Sequence, residues 1–224
     1  ATGMHIIPGV IDDQVHFREP GNTQKATIAT ESAAAVLGGV TSFMDMPNNN
    51  PPVVTCEALE QKYEIASRKS YANYSFYLGA TNHNIEEIRK ADPKKICGIK
   101  LFMGSSTGNM LVDKRNELEK IFAEANRLDM PVAVHCEDSS IIVANSAAIK
   151  EREGDDPDVK FHPAIRSEEA CYNSLKRAVA LAKKHDKQLH VMHISTGREL
   201  ELLTTESLEN KKITAEVTPA HLTF

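Results

Sequence analysis

His16, His135 and His193 each stand near where an apolar run of the sequence turns polar, Lys100 stands within such a run, and they are residue types from which metal sites and amine nucleophiles are built. Gln14, Arg18, Asp45 and Asn48 occupy comparable positions. The stretch from Gly9 to Gly21 begins apolar, becomes polar at alternate positions and ends in Pro20-Gly21, which stops a strand. Strand side chains alternate faces, so Asp12, Gln14 and His16 are expected on one face, with Asp13 and Val15 on the other. Neutral imidazoles converging from separate strands suit a transition metal such as zinc, and a catalytic zinc site keeps one coordination position open. Lys100 enters by another route. A lysine on the inner face of a barrel strand loses hydration, which lowers its pKa and leaves a neutral fraction able to add carbon dioxide. The resulting carbamate has two oxygens that can bridge a pair of metal ions. The alternative is a lysine that reaches solvent or pairs with a carboxylate such as Asp45.

Such residues must be carried by strand ends. The spacing predicts a first strand ahead of His16 and further strands over 40–46, 74–80, 97–103, 131–135, 188–194 and 213–217. Helices are expected between them, over 25–37, 55–69, 85–91, 115–128, 139–152, onward from a cap at Ser167, and over 198–208. This alternation implies an α/β fold with a parallel sheet and right-handed connections. Seven such units suggest a (β/α)8 TIM-type barrel lacking its eighth strand, with the polar strand ends gathered at one mouth. An open barrel would leave an unpaired edge on each side of the gap, so residues 1–224 are expected to be one catalytic barrel domain taken from a longer chain. By alternation, Cys136 and His190 should face away from His135 and His193 as packing residues. His5, His83, His162, His185 and His221 read as ordinary surface or packing histidines.

Composition narrows the function. With 224 residues, 41% of them hydrophobic, the chain can bury one sizeable core. Its 26 basic and 31 acidic residues give a net charge of -5 without a basic block, which excludes nucleic acid as a partner. No apolar run has the length of a membrane span and no targeting segment is visible, so a cytoplasmic protein is expected. Four cysteines without CxxC pairing read as reduced core thiols. Gly104-Ser105-Ser106-Thr107-Gly108 fits a nucleophile elbow with Ser106 as nucleophile, but its loop continues to Asp113 before the next helix. A serine hydrolase would also leave the histidines and Lys100 without a joint role. The loop lacks the Gly-Lys-Ser/Thr ending of a P-loop.

Taken in order, Gly9-Val10-Ile11-Asp12 through His16-Phe17-Arg18-Glu19-Pro20-Gly21, Asp45-Met46-Pro47-Asn48, Gly98-Ile99-Lys100-Leu101-Phe102-Met103, Val134-His135-Cys136-Glu137-Asp138, His190-Val191-Met192-His193-Ile194-Ser195-Thr196 and Glu216-Val217-Thr218-Pro219 resemble the successive motifs of dihydroorotases in the amidohydrolase superfamily. The resemblance runs over essentially the whole chain. It implies a zinc-dependent amidohydrolase acting on a cyclic amide, interconverting N-carbamoyl-L-aspartate and L-dihydroorotate in pyrimidine synthesis. It also implies two zinc ions: His16 on the more buried one, carboxylated Lys100 as bridge, and His135 and His193 on the second. Arg18 and Asn48 are implied to bind the substrate carboxylate, which a guanidinium grips through two parallel hydrogen bonds. The partners it suggests are a small-molecule substrate, further copies of the chain in a homo-oligomer, and aspartate transcarbamoylase.

Two departures stand out. Where the family has His-x-His, this chain has Gln14 before His16. A neutral amide oxygen is a weaker zinc ligand, so the more buried ion is loosely held, reached through water, or absent, leaving one ion. The family's general acid and base, an aspartate on the eighth strand, is expected beyond Phe224, and strands of a small β-sandwich before Ala1. Two other readings remain beside the dihydroorotase: another cyclic amidase, such as an allantoinase or hydantoinase, and a catalytically silent scaffold subunit.

Overall fold

A computed structural model describes residues 2–104 and 110–223. Ser106 and the rest of the candidate elbow loop after Gly104 lie outside the described residues. The chain divides into two compact units, one running to Gly79 and including Glu86–Gly98, the other made of Ala80–Ile85 and the chain from Ile99 onward.

In the first unit, β1 (Val10–Val15), β2 (Val40–Asp45) and β3 (Asn73–Gly79) are parallel neighbours in that order. Helices α1 (Ile28–Leu37) and α2 (Cys56–Lys69) connect them. Thr27 and Thr55 cap these helices by accepting from the backbone amides of Thr30 and Ala58, so α1 starts three residues later than its apolar spacing suggests. Phe17, Ile28, Phe43, Leu59 and Phe76 are buried at the centre, with the Phe17 and Phe43 rings 4.4 Å apart. Each such side chain contributes about 1.5–3 kcal/mol when fully buried. On β1, the residues from Asp12 to Val15 stand opposite only Phe43 to Asp45, a bulge that interrupts strict face alternation just before His16. Gly21, at φ +102°, closes the following loop. A Cβ there would lie 1.9 Å from the Asn50 carbonyl oxygen, so only glycine permits that approach.

The second unit carries β4 (Gly98–Phe102), β5 (Val132–His135), β6 (Leu189–Val191) and β7 (Ile213–Ala215), again parallel in chain order. All five residues of β4 are buried, as in a parallel strand covered on both faces. In this unit α4 (Arg115–Arg127), α5 (Ser139–Glu153), α6 (His162–Ile165) and α7 (Glu168–Lys184) intervene, and α8 (Pro219–Thr223) follows β7. The short helix α3 (Ile85–Lys90) lies at the division between the units.

Two expectations need correction. Strand β6 ends at Val191 rather than 194, because His193 takes a left-handed backbone at φ 38°. In place of a helix over 198–208 there is a six-residue 3-10 turn, Gly197–Leu202, begun by a capping box between Thr196 and Glu199 and ended by extended backbone at Leu203. Of the cysteines, Cys136 and Cys171 are buried while Cys56 and Cys97 are half-buried. Among the described residues, no helix is long and apolar enough to cross a membrane.

Candidate active site

The first unit brings together the residues expected at its strand ends. His16 Nδ1 lies 2.7 Å from Asn48 Oδ1, joining the loop after β1 to the loop after β2. The next amide, Phe17 N–H, donates to Asp45 Oδ1 at 3.0 Å. Arg18 is half-buried with φ 64°, a left-handed conformation that costs a non-glycine residue roughly 1–2 kcal/mol. Gln14 keeps its Oε1 buried with no hydrogen-bond partner among the described residues.

Asp45 is engaged by a residue that was not foreseen. Lys62, on α2 and 0% exposed, places Nζ 2.8 Å from Asp45 Oδ2. Burial lowers the Lys62 pKa and Asp45 partly restores it. The run Glu60-Gln61-Lys62-Tyr63-Glu64 reads as a solvated face, yet Leu59, Lys62 and Ala66 share the buried stripe of the helix, and that periodicity was the available signal.

In the second unit, Lys100 is 1% exposed and its Nζ has no hydrogen-bond partner among the described residues. It lies 4.9 Å from the centre of the Phe102 ring. Burial pushes its pKa down to about 7, against a weaker upward pull from Cys136 and Glu216. His135, paired in register with Phe102 of β4, directs Nδ1 to within 3.2 Å of His193 Nε2. Its other nitrogen, Nε2, lies 2.8 Å from Glu137 Oε2. The Arg166 guanidinium grips Glu137 with two prongs, Nε to Oε1 at 2.8 Å and Nη2 to Oε2. Burial alone would raise the Glu137 pKa, but the bonds from His135 and Arg166 outweigh it and hold the carboxyl below its usual range. Burial, then His135 and Lys100, lower the His193 pKa to about 4, so that ring is neutral near pH 7 with a lone pair to offer.

His190 does more than pack. Its Nδ1 lies 2.8 Å from Thr214 Oγ1 and its Nε2 3.1 Å from Glu216 Oε2, while Glu216 Oε1 accepts from the His193 amide at 3.2 Å. Glu216 thus meets the side chain of His190 and the backbone amide of His193. Cys136 is buried beside Ser174 of α7, and burial pushes its thiol up to about 12, but it also borders the same cavity as His135. A cavity of about 480 Å³ in this unit is lined by His135, Glu137, Arg166 and His193, and also by His162, which the sequence marked as ordinary.

This donor set fits a metal. Two imidazole nitrogens on one tetrahedral zinc, each at about 2.0–2.1 Å, stand about 3.3 Å apart, and the His135–His193 separation is close to that. The carboxylate behind His135 is the usual partner that orients a ligating imidazole. The orphaned amine of Lys100 is poorly explained by packing alone and well explained as a group awaiting a ligand.

Known proteins resemble this chain over nearly its whole length. The Amidohydrolase family description matches residues 5–163. A dihydroorotase of Methanosphaera stadtmanae is 35% identical over 97% of this chain and 48% of its own length, and one of Pyrococcus furiosus is 37% identical over 98% and 45%. An allantoinase of Deinococcus radiodurans is 30% identical over 100% of this chain and 50% of its own. Among solved structures, an L-hydantoinase from Arthrobacter aurescens has TM-score 0.84 at 28% identity, covering 95% of this chain and 47% of that one. The chain therefore spans about half the length of the curated relatives it matches. By this match and by its alternating parallel strands and helices, the chain belongs to the amidohydrolase family and has that family's TIM-barrel class of fold.

Proposed function

We propose that the chain is the metal-binding and substrate-gripping part of a dihydroorotase, interconverting L-dihydroorotate and N-carbamoyl-L-aspartate. The observation that carries the choice of substrate is Asn48 lying 2.7 Å from His16, with Arg18 two residues further on. An amide and a guanidinium beside a metal-binding histidine supply the grip that a ring carrying a carboxylate requires. The dihydroorotases of 35% and 37% identity support the same reading.

In this proposal His16 would hold one zinc ion, with Gln14 as a weak oxygen donor, and His135 and His193 would hold a second. Lys100, once carboxylated, would supply carbamate oxygens as metal ligands. Bound zinc lowers the pKa of water and polarises a carbonyl oxygen, which is the chemistry amide hydrolysis needs. Lys100 is prepared for its part: with a pKa of about 7 a substantial fraction is neutral near pH 7. The amine lone pair forms the N–C bond to carbon dioxide, one C=O pair moves onto oxygen, and the nitrogen sheds a proton, leaving a carbamate. Arg18 and Asn48 bind the substrate carboxylate, and Asn48 also fixes the His16 ring. Glu137 and Arg166 hold His135 with Nδ1 facing inward. On this reading the protein works in the cytoplasm, in pyrimidine synthesis, as a homo-oligomer able to associate with aspartate transcarbamoylase.

The test is turnover by the zinc-loaded full protein on dihydroorotate, allantoin and hydantoin, with zinc counted alongside. A preference for dihydroorotate is expected. A preference for either other ring would transfer the assignment to the allantoinase or hydantoinase reading, which the Deinococcus allantoinase and the Arthrobacter hydantoinase favour. A chain that binds no zinc and turns over none of the three would be the silent scaffold that Gln14 suggests.

A further inference from the structure

The first unit contains a buried charge that the proposed chemistry does not use. The Lys62 ammonium is held by one short stretch: it pairs with Asp45 Oδ2 at 2.8 Å and donates to the Met46 carbonyl oxygen at 3.0 Å and Asn49 Oδ1 at 2.8 Å. The chain thus wraps the ammonium from the last residue of β2 to the residue just past Asn48. The bonds continue to the other loop. Asp45 Oδ1 accepts from the Phe17 amide, which lies between His16 and Arg18, and Asn49 Nδ2 donates to the Glu19 carbonyl oxygen at 3.0 Å. Glu19 is itself buried, accepting from the Ile28 amide and pairing with Lys69.

Stability alone gives little reason for this arrangement, since a buried ion pair can often be replaced by apolar residues of similar volume without loss. What apolar residues could not supply is a directed hold on Asp45, Met46 and Asn49, of which Asp45 and Asn49 bond onward to the loop after β1. We propose that Lys62 is a positioning residue: through Asp45 and Asn49 it holds the loops after β1 and β2 in the register that sets Asn48 against His16 and fixes the backbone at Arg18. The inference rests on the dihydroorotase reading only for its kinetic readout.

Two measurements on the full protein test it, hydrogen exchange over residues 16–19 and 45–50, and steady-state kinetics on dihydroorotate. In Lys62→Met, exchange over both stretches is expected to accelerate, and KM to rise about tenfold with kcat changed less than about threefold. The pair Asp45→Asn with Lys62→Met removes both buried charges and keeps an acceptor for the Phe17 amide. Its thermal midpoint should recover relative to Lys62→Met while KM stays raised, a split that a merely structural lysine would not produce. Asn49→Ala, a milder cut at a half-buried position, should raise KM by a smaller factor.

Wild-type exchange over 45–50 in Lys62→Met overturns the inference, as does a double variant whose KM returns together with its stability. If neither Lys62 variant folds, Asn49→Ala decides, and wild-type exchange and KM there overturn it. A wild-type protein inert on dihydroorotate removes the substrate reading alone, and the exchange comparison still decides Lys62.

Discussion

Two lysines of equal burial mark the difference between the two units. Lys62 is 0% exposed and Lys100 1%, and burial lowers the pKa of each. Lys62 has a carboxylate, a carbonyl and an amide oxygen around it, whereas Lys100 has no hydrogen-bond partner among the described residues. In the first unit the cost of burying charge is offset within the fold. In the second it is left open, which is what a group meant to change its chemistry or meet a ligand requires. Burial by itself therefore does not distinguish scaffold from site; the satisfaction of the buried charge does.

Replacing each lysine by methionine tests that comparison most severely. Lys100→Met should reduce turnover by about three orders of magnitude or more, as expected when a residue that assembles the metal site is lost. The same change should stabilise the metal-free protein, by on the order of 3–5 kcal/mol at pH 7, because it removes an ammonium whose burial is only weakly compensated. Lys62→Met should do the reverse, costing about 3–5 kcal/mol, because Asp45 is left buried and charged without its cation. Denaturant midpoints of the two variants read the sign directly. If both destabilise, the contrast collapses and Lys100 is a structural residue like Lys62.

A pH series sharpens the same point. The folded pKa of Lys100 lies near 7, below the ordinary value of 10.5, so between those limits the unfolded chain binds a proton that the fold has shed. Stability contributed by this group then rises with pH from about 7 upward, by at most about 1.4 kcal/mol per pH unit. Cys97, Cys136 and Cys171, each pushed up to about 12, work in the opposite direction once unfolded thiols begin to ionise. The useful quantity is the difference between wild type and Lys100→Met. Between pH 7 and 9 that difference should move by about 2–3 kcal/mol in favour of the wild type. A flat difference would mean that Lys100 is not buried without compensation.

The carboxylates of the two units extend the comparison. Asp45 serves a backbone amide and Lys62, both parts of the scaffold, whereas Glu137 serves His135 and Arg166 at the edge of the cavity. Glu137→Gln should therefore weaken zinc binding about 10- to 100-fold, the usual loss when the group orienting a metal-bound histidine is changed. Chelator competition measures this, and wild-type affinity would mean that His135 needs no orienting partner.

How much of this was legible in the sequence depended on regular backbone. His16 and His135 stand at or next to the ends of β1 and β5, Asn48 lies in the loop after β2, and Lys100 lies inside β4, all in regular or nearly regular backbone. Alternation stopped being a guide where the backbone departed from a strand, at the β1 bulge between Asp12 and Val15 and at left-handed His193. His190, expected as a packing residue, also bonds Thr214 and Glu216, partners that sequence spacing does not identify. Lys62 was missed because its neighbours in sequence are polar, and only the helical period places it on the buried stripe. His162 opens the four-residue helix α6 and Arg166 caps its end, a helix too short for periodicity to indicate direction, and their place in the cavity emerges only from the tertiary fold.

The smallest effect concerns Gln14, because it asks whether the logic of Lys100 extends to a neutral group. Its Oε1 is buried without a partner among the described residues, as Lys100 Nζ is. An orphaned acceptor costs about 1–3 kcal/mol, and methionine matches glutamine closely in volume while lacking that acceptor. Gln14→Met should therefore stabilise the metal-free protein by about 1 kcal/mol, raising Tm by roughly 2–4 °C for a chain of this size. If the orphaned oxygen is kept for a metal, the same variant should hold zinc more weakly, while Gln14→His should hold it more tightly than wild type, imidazole being the better ligand. A Gln14→Met variant less stable than wild type would show that the oxygen is satisfied after all. That result would separate Gln14 from Lys100 and leave the uncompensated amine as the feature that sets the second unit apart.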